Sequence, residues 1–143
     1  MKKVKIYTDG SCIPNPGVGG WSAIIVDGNL VEEIYGKKSY TTNNEMELTA
    51  VIKGLEKLTE SCEVDLYCDS SYVVYAFLQG RLTKWKSNGW KTSNRKPVKN
   101  KELWTYLDKL TYKHKVNFIK VEGHSDNDLN NKCDTLARYA IFN

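Results

Sequence analysis

Two stretches of this chain end an alternating run on a bare carboxylate: "IYTDGS" at residues 6–11 and "LYCDSS" at 66–71. A carboxylate at a strand end can cap a turn, pair with a lysine or hold a metal ion, and Asp9 and Asp69 each admit all three. On neighbouring strands the two would repel unless a cation intervened. Two more acids fall in related places. Glu47 sits early in a helical pattern, at the margin of the Leu48–Val51–Leu55 stripe, and Asp134 follows Cys133 beside the stripe of the last helical segment. Gathered together, the four would form an all-oxygen site, which favours Mg²⁺ or Mn²⁺ over zinc. Singly, each has a plain role: turn former for Asp9, solvated helix residue for Glu47 and Asp134. Spacing alone does not join them.

The elements that must position these acids are readable from periodicity. Residues 3–9 alternate with Val4 and Ile6 on one face and predict a strand. "PNPG" at 14–17 is a turn, and "WSAIIV", "DGN", "LVEEIY" predict a hairpin with an Asp-Gly turn. A helix follows in "TTNNEMELTAVIKGLEKL", with Leu48, Val51, Ile52, Leu55 and Leu58 as its buried stripe and Thr42 with Glu45 as a capping box. Residues 63–69 form a strand with Val64, Leu66 and Cys68 on one face, and a helix covers about 71–79. A turn-rich arm leads to a helix near 101–111, packed through Leu103, Trp104, Leu107 and Leu110. A fifth strand at 116–121 and a helix over 128–141, with Leu129, Cys133, Leu136, Ala137 and Ala140 at helical spacing, complete the chain. The order βββαβα, arm, αβα predicts a mixed α/β sheet whose first three strands are antiparallel and whose later strands need crossovers. Sites in such sheets lie beyond the carboxyl ends of strands, where Asp9 and Asp69 stand.

The bulk numbers exclude several classes. The 143 residues suit one domain with a real core, over the whole of 1–143. No run approaches the ~18 apolar residues of a membrane span, and no apolar stretch follows the basic start as in a signal peptide, so a cytoplasmic location is expected. Cys12, Cys62, Cys68 and Cys133 lack zinc-like spacing and read as reduced structural thiols. The net charge of +4 conceals a segregation: residues 70–101 carry eight cations and no acid, leaving −4 for the rest. A basic arm on an acidic body points to a polyanion partner.

"YTDGS", "TTNNEMEL", "YCDSSYV" and "GHSDNDLNNKCDTLAR", in this order, resemble a type 1 ribonuclease H of the bacterial kind. The resemblance covers essentially the whole chain, and "KWKSNGWKTSNRKPVKN" looks like that family's basic handle, over about 81–99. It implies the ribonuclease H-like fold, with a five-stranded mixed sheet flanked by helices. It also implies an endonuclease that cuts the RNA strand of an RNA/DNA hybrid to 5′-phosphate and 3′-hydroxyl products. The four acids then become metal ligands. Asp9 would bridge two Mg²⁺ ions, Asp134 would help hold the ion that activates water, and Glu47 and Asp69 the ion that stabilises the leaving oxygen, Mn²⁺ being able to substitute. The small residues after the aspartates would let backbone and phosphate approach closely. A loop histidine is ordinarily just solvated; by resemblance, His124 assists proton transfer or product release. His114 has no such support and reads as surface.

Choosing RNA requires sensing its 2′-hydroxyl, which donates and accepts, as amides do. Asn15, Asn43 and Asn44 match substrate-contacting positions, although Asn15 also suits a turn and the other two suit a helix cap. Thr42 matches a position that grips a DNA-strand phosphate. In the arm, Lys84, Trp85, Lys86, Trp90, Lys91 and Lys96 are candidate nucleic-acid contacts; Trp104 lies at core spacing. The chain departs from the family at Ser71, where a Gln often reads substrate, at Tyr40, where an Arg often holds the DNA phosphate, and in lacking one tryptophan near the start of the arm. A monomeric enzyme is the expectation. Two alternatives are the ribonuclease H domain of a retroelement polymerase, against which the start at Met1 and the full arm weigh, and a non-catalytic hybrid-binding module, which would be expected to lack an acid.

Overall fold

The computed structural model describes residues 1–122 and 127–143. Strands β1 (Lys2–Cys12), β2 (Gly17–Asp27) and β3 (Leu30–Thr41) form an antiparallel meander, followed by helix α1 (Asn43–Glu56) and strand β4 (Cys62–Cys68). Helices α2 (Ser71–Leu78), α3 (Arg81–Ser87) and α4 (Lys101–Lys113), strand β5 (Lys115–Lys120) and helix α5 (Asp128–Phe142) complete the order. The sheet runs β3-β2-β1-β4-β5, with β1–β4 and β4–β5 parallel. This is the mixed α/β sheet that the periodicity implies. Asp27 pairs with Leu30 across the hairpin, and Gly28 takes φ +59°, a conformation that needs glycine.

The helices sandwich the sheet because their apolar stripes face opposite sides of it. On one side, Leu48, Val51, Ile52, Leu55 and Leu58 of α1 and its C-terminal flank join Val4, Ile6, Val64, Leu66, Val73, Trp104 and Leu107 in the main core. On the other, α5 lays Cys133, Leu129 and Leu136 against Tyr7, Ile24 and Tyr67. Ser22 donates to the Cys133 carbonyl at 2.6 Å, and the Cys133 thiol donates to the Tyr7 carbonyl at 3.0 Å, which fixes α5 along the sheet. Among the described residues no helix is long and apolar enough to cross a membrane. All four cysteines are free and buried.

Four features differ from the expectations. Strand β3 continues to Thr41 rather than ending near Tyr35, because the start of β2 goes on pairing with it. The arm holds a helix, α3, because Leu82 and Trp85 stand one turn apart and both reach the core. The capping box is half made: Thr42 accepts from the Glu45 amide at 3.2 Å, but the Glu45 carboxylate is held by Thr41 and Lys38 instead of returning to Thr42. His114 is buried, not surface. Its Nδ1 accepts from the Cys62 amide at 3.1 Å, so it ties the start of β4 to the end of α4.

Candidate active site

The parallel pairing of β1 with β4 ends at Thr8 opposite Cys68, so Asp9 and Asp69 leave adjacent strands side by side. Helix α1 presents Glu47 from one side of the sheet and α5 presents Asp134 from the other. Asp9, Glu47, Asp69 and Asp134 line one open cleft together with Gly10, Ser11, Asn43, Asn44 and Ser70. No lysine, arginine or histidine is among the described residues that line it.

Gly10 is the hinge of this arrangement. A β-carbon there would lie 2.4 Å from the Met46 carbonyl carbon and 2.5 Å from the Glu47 nitrogen, so only glycine lets β1 meet the backbone of α1. The small residue after Asp9 therefore lets backbone approach closely, as expected, and the backbone is that of α1. The Gly10 amide donates to Asp9 Oδ1 at 2.9 Å and also to Glu47, which sets the two carboxylates against each other. Ser70, in the matching place after Asp69, caps α2 by accepting from the Val73 amide at 3.3 Å.

The electrostatics follow from this crowding. Burial, then the nearby Asp69 charge, pushes the Asp9 carboxyl up to about 8. Burial, then the charges of Asp9 and Asp69, pushes the Glu47 carboxyl well above the carboxylate range. Asp134 is more open and is braced by Arg138 at 3.3 Å, one helical turn on. Ligand atoms of Glu47, Cys68 and Asp69 lie within 4.8 Å of one another. The Cys68 thiol is nevertheless no ligand for a hard ion, because burial and the Glu47 charge hold it protonated. What remains is a set of carboxylate oxygens that repel each other, a donor set fitted to a hard divalent cation.

The other expected site residues fall in two groups. Asn43 and Asn44 lie exposed at the cleft, on the first turn of α1. Asn15 stands beside them, its Oδ1 accepting from the Asn43 amide at 3.2 Å, and Thr42 caps the helix. In the arm, Lys84, Lys91 and Lys96 are exposed. The Lys86 ammonium is already engaged, 3.0 Å from Asp108 and 2.9 Å from the Tyr112 hydroxyl. Trp85 and Trp90 are half-buried, with the Trp85 ring 5.4 Å from Trp104 and 6.3 Å from Trp90, so packing claims much of both. Trp104 is fully buried, as its spacing implied. His124 lies outside the described residues. Ser11 and Ser70 at the cleft were not among the expected site residues, and Glu45 was expected only as a capping-box partner, not as the partner of Thr41 and Lys38. The only signal for Glu45 was an acid three residues after a capping threonine.

A five-stranded mixed sheet with acids gathered at the ends of its central parallel pair defines a class, the ribonuclease H-like α/β enzymes. The RNase H family model matches residues 1–142. The Ribonuclease H of Acetivibrio thermocellus is 60% identical over 137 residues, 96% of this chain and 93% of that protein. LC9-RNase H1, a type 1 RNase H with the type 2 active-site motif, has the same fold, with TM-score 0.88 at 24% identity over 99% of this chain and 73% of that one. LC11-RNase H1, solved in complex with RNA/DNA hybrid, gives TM-score 0.71 at 26% identity, over 97% of this chain and 96% of that one. The chain belongs to the ribonuclease H family, and it is an enzyme of that family, a nuclease.

Proposed function

We propose that this protein is a Mg²⁺-dependent endonuclease that hydrolyses the RNA strand of RNA/DNA hybrids to 5′-phosphate and 3′-hydroxyl products by a two-metal mechanism. The observation that carries this reading is the convergence of Asp9, Glu47, Asp69 and Asp134 on one open cleft beside Asn43 and Asn44. The hybrid bound to its relative LC11-RNase H1 supports the same substrate.

When bound, two divalent ions supply an activated water and neutralise charge on the departing 3′ oxygen. Asp9, centred between the other acids, would serve both ions, with Glu47 and Asp69 on one side and Asp134 on the other; Mn²⁺ can substitute. The chain's own work is to hold these oxygens fixed. The Gly10 amide sets Asp9 and Glu47, and Arg138 steadies Asp134. The open cleft admits a backbone phosphate, while burial of Asp9 and Glu47 keeps bulk water off their oxygens. Asn43 and Asn44, with Asn15 behind them, present amide donors and acceptors to the 2′-hydroxyl, and Thr42 lies at the edge for a phosphate of the other strand. Lys84, Lys91 and Lys96 extend the backbone contact along the arm. Trp85 and Trp90 hold that arm on the core and offer the duplex their open edges, and Lys86 braces it to α4. His124 is assigned proton transfer or help in product release.

We take residues 1–143 as one functional domain with its handle over about 81–99, acting as a cytoplasmic monomer; four free buried thiols suit a reducing compartment. The test offers end-labelled RNA/DNA, RNA/RNA and DNA/DNA duplexes in Mg²⁺ and in chelator. Cleavage of the RNA strand of the hybrid alone, only with metal, is expected. Hybrid binding without cleavage would overturn the reading, as would cleavage of all three duplexes.

A further inference from the structure

Beside the cleft lies a charge that a nucleic-acid enzyme has no evident reason to keep. Glu45 is in the first turn of α1, one residue past Asn44, which lines the cleft proposed to take a polyanion. Its carboxylate is not idle. Oε2 takes the Lys38 ammonium at 2.5 Å, and Oε1 accepts from the Thr41 hydroxyl. Thr41 is itself buried, and its carbonyl accepts from the Cys12 thiol at 3.3 Å. The same thiol reaches the carbonyls of Pro14 and Gly17, on either side of Asn15. Asn15 in turn accepts from the Asn43 amide. Two separate pieces of chain, the loop carrying Asn15 and the continuous run from the end of β3 into the first turn of α1, are thus stitched together around the asparagines.

We infer that Glu45 is a positioning residue for substrate binding: by tying Lys38 and Thr41 of β3 to the first turn of α1, it fixes Asn43 and Asn44 in the orientation that meets the hybrid. This rests on the reading of the cleft given above. The physical reason is the division of the turn's backbone bonds. The Glu45 amide is held by Thr42 and the Asn43 amide by Asn15, so the backbone of the turn is pinned locally. Apart from the chain's own passage through Thr42, the tie from that turn to Lys38 and Thr41 of β3 among the described residues is the Glu45 side chain. Lys38 also cancels the acid's charge where the polyanion would feel it.

Position and bare charge predict opposite signs, which makes the inference testable. Removing an acid beside a polyanion site should tighten binding if charge alone matters. Loss of a positioning contact should weaken it. The experiment measures steady-state kinetics in Mg²⁺, and hybrid binding by anisotropy in chelator, for wild type, Glu45→Ala and Glu45→Gln. Glu45→Ala is expected to raise KM and the dissociation constant about fivefold, the scale of one ordinary hydrogen bond lost, with kcat unchanged. Glu45→Gln keeps an oxygen for Thr41 and should recover most of the affinity. Tighter binding by Glu45→Ala, or equal loss in both variants, overturns the positioning role. A fall in kcat with a lowered melting temperature would make Glu45 merely structural and overturn it equally. If wild type itself neither binds nor cuts the hybrid, the functional reading has failed instead, which is a separate result.

Discussion

Replacing Asp9 with Asn should stabilise the metal-free protein strongly at pH 8 and hardly at all near pH 4. Asn keeps the shape and the oxygen that accepts from the Gly10 amide at 2.9 Å, so the change removes charge and little else. Burial and Asp69 raise the Asp9 carboxyl from 3.8 to about 8. A group whose folded pKa lies above its unfolded value helps the native state fully below the unfolded value. That help is lost as pH rises through the folded one. At 1.36 kcal/mol per pH unit, the folded chain has lost on the order of 5 kcal/mol by pH 8; solvent and relaxation bring this to roughly 3–5 kcal/mol. For a chain of this length that corresponds to a melting temperature about 10–15 °C higher in Asp9→Asn. Near pH 4 the two proteins should agree within about 1 kcal/mol. The assay is thermal unfolding in chelator across this range, repeated in Mg²⁺, which should stabilise wild type and narrow the gap. Cleavage should be abolished in the variant while hybrid binding persists. A gap independent of pH, or a variant less stable at pH 8, would refute the view that crowded carboxylates oppose folding here.

Replacing Lys84, Lys91 and Lys96 with Ala should raise KM far more than it lowers kcat, and should flatten the salt dependence of binding by ~0.7–0.9 in log–log slope per lost phosphate contact. Lys86→Ala should leave that slope nearly unchanged and lower thermal stability, because its ammonium is engaged by Asp108 and Tyr112; an equal slope change would return Lys86 to the phosphate contacts. His124→Ala should lower kcat by roughly one to three orders of magnitude and alter the acidic limb of the pH–rate profile, with KM and Mg²⁺ response retained, as steady-state kinetics from pH 5.5 to 9 will show. His114→Asn tests the buried imidazole. Burial, then Lys113, lowers its pKa, so wild type loses stability as pH falls from about 6.5 toward the folded value. The variant should lack that loss in urea unfolding, and identical pH dependence in both proteins would show that the ring titrates alike folded and unfolded, against a lowered pKa.

Much of this molecule was legible in the chain. The stripe of α1 from Leu48 to Leu58, the hairpin at Gly28 and the spacing of Cys133, Ala137 and Ala140 each record which side of a segment turns inward. Periodicity is a local property, so sequence carries it openly. The motifs around Asp9, Glu47, Asp69 and Asp134 were distinctive enough to carry a family resemblance, and with it an expected chemistry.

What the sequence could not decide was how segments far apart in the chain meet. That β1 pairs in parallel with β4, bringing Asp9 beside Asp69, depends on a crossover through α1 and on the register from Lys2 with Cys62 to Thr8 with Cys68. That Gly10 exists for the backbone of α1, that His114 is buried against Cys62, and that Glu45 turns to Lys38 and Thr41 are all facts of packing between distant elements. The same holds for charge. Nothing in the local sequence sets the Asp9 carboxyl's pKa apart from that of any other aspartate; desolvation under two helices and the approach of Asp69 do so, and those arise only when the whole chain has closed.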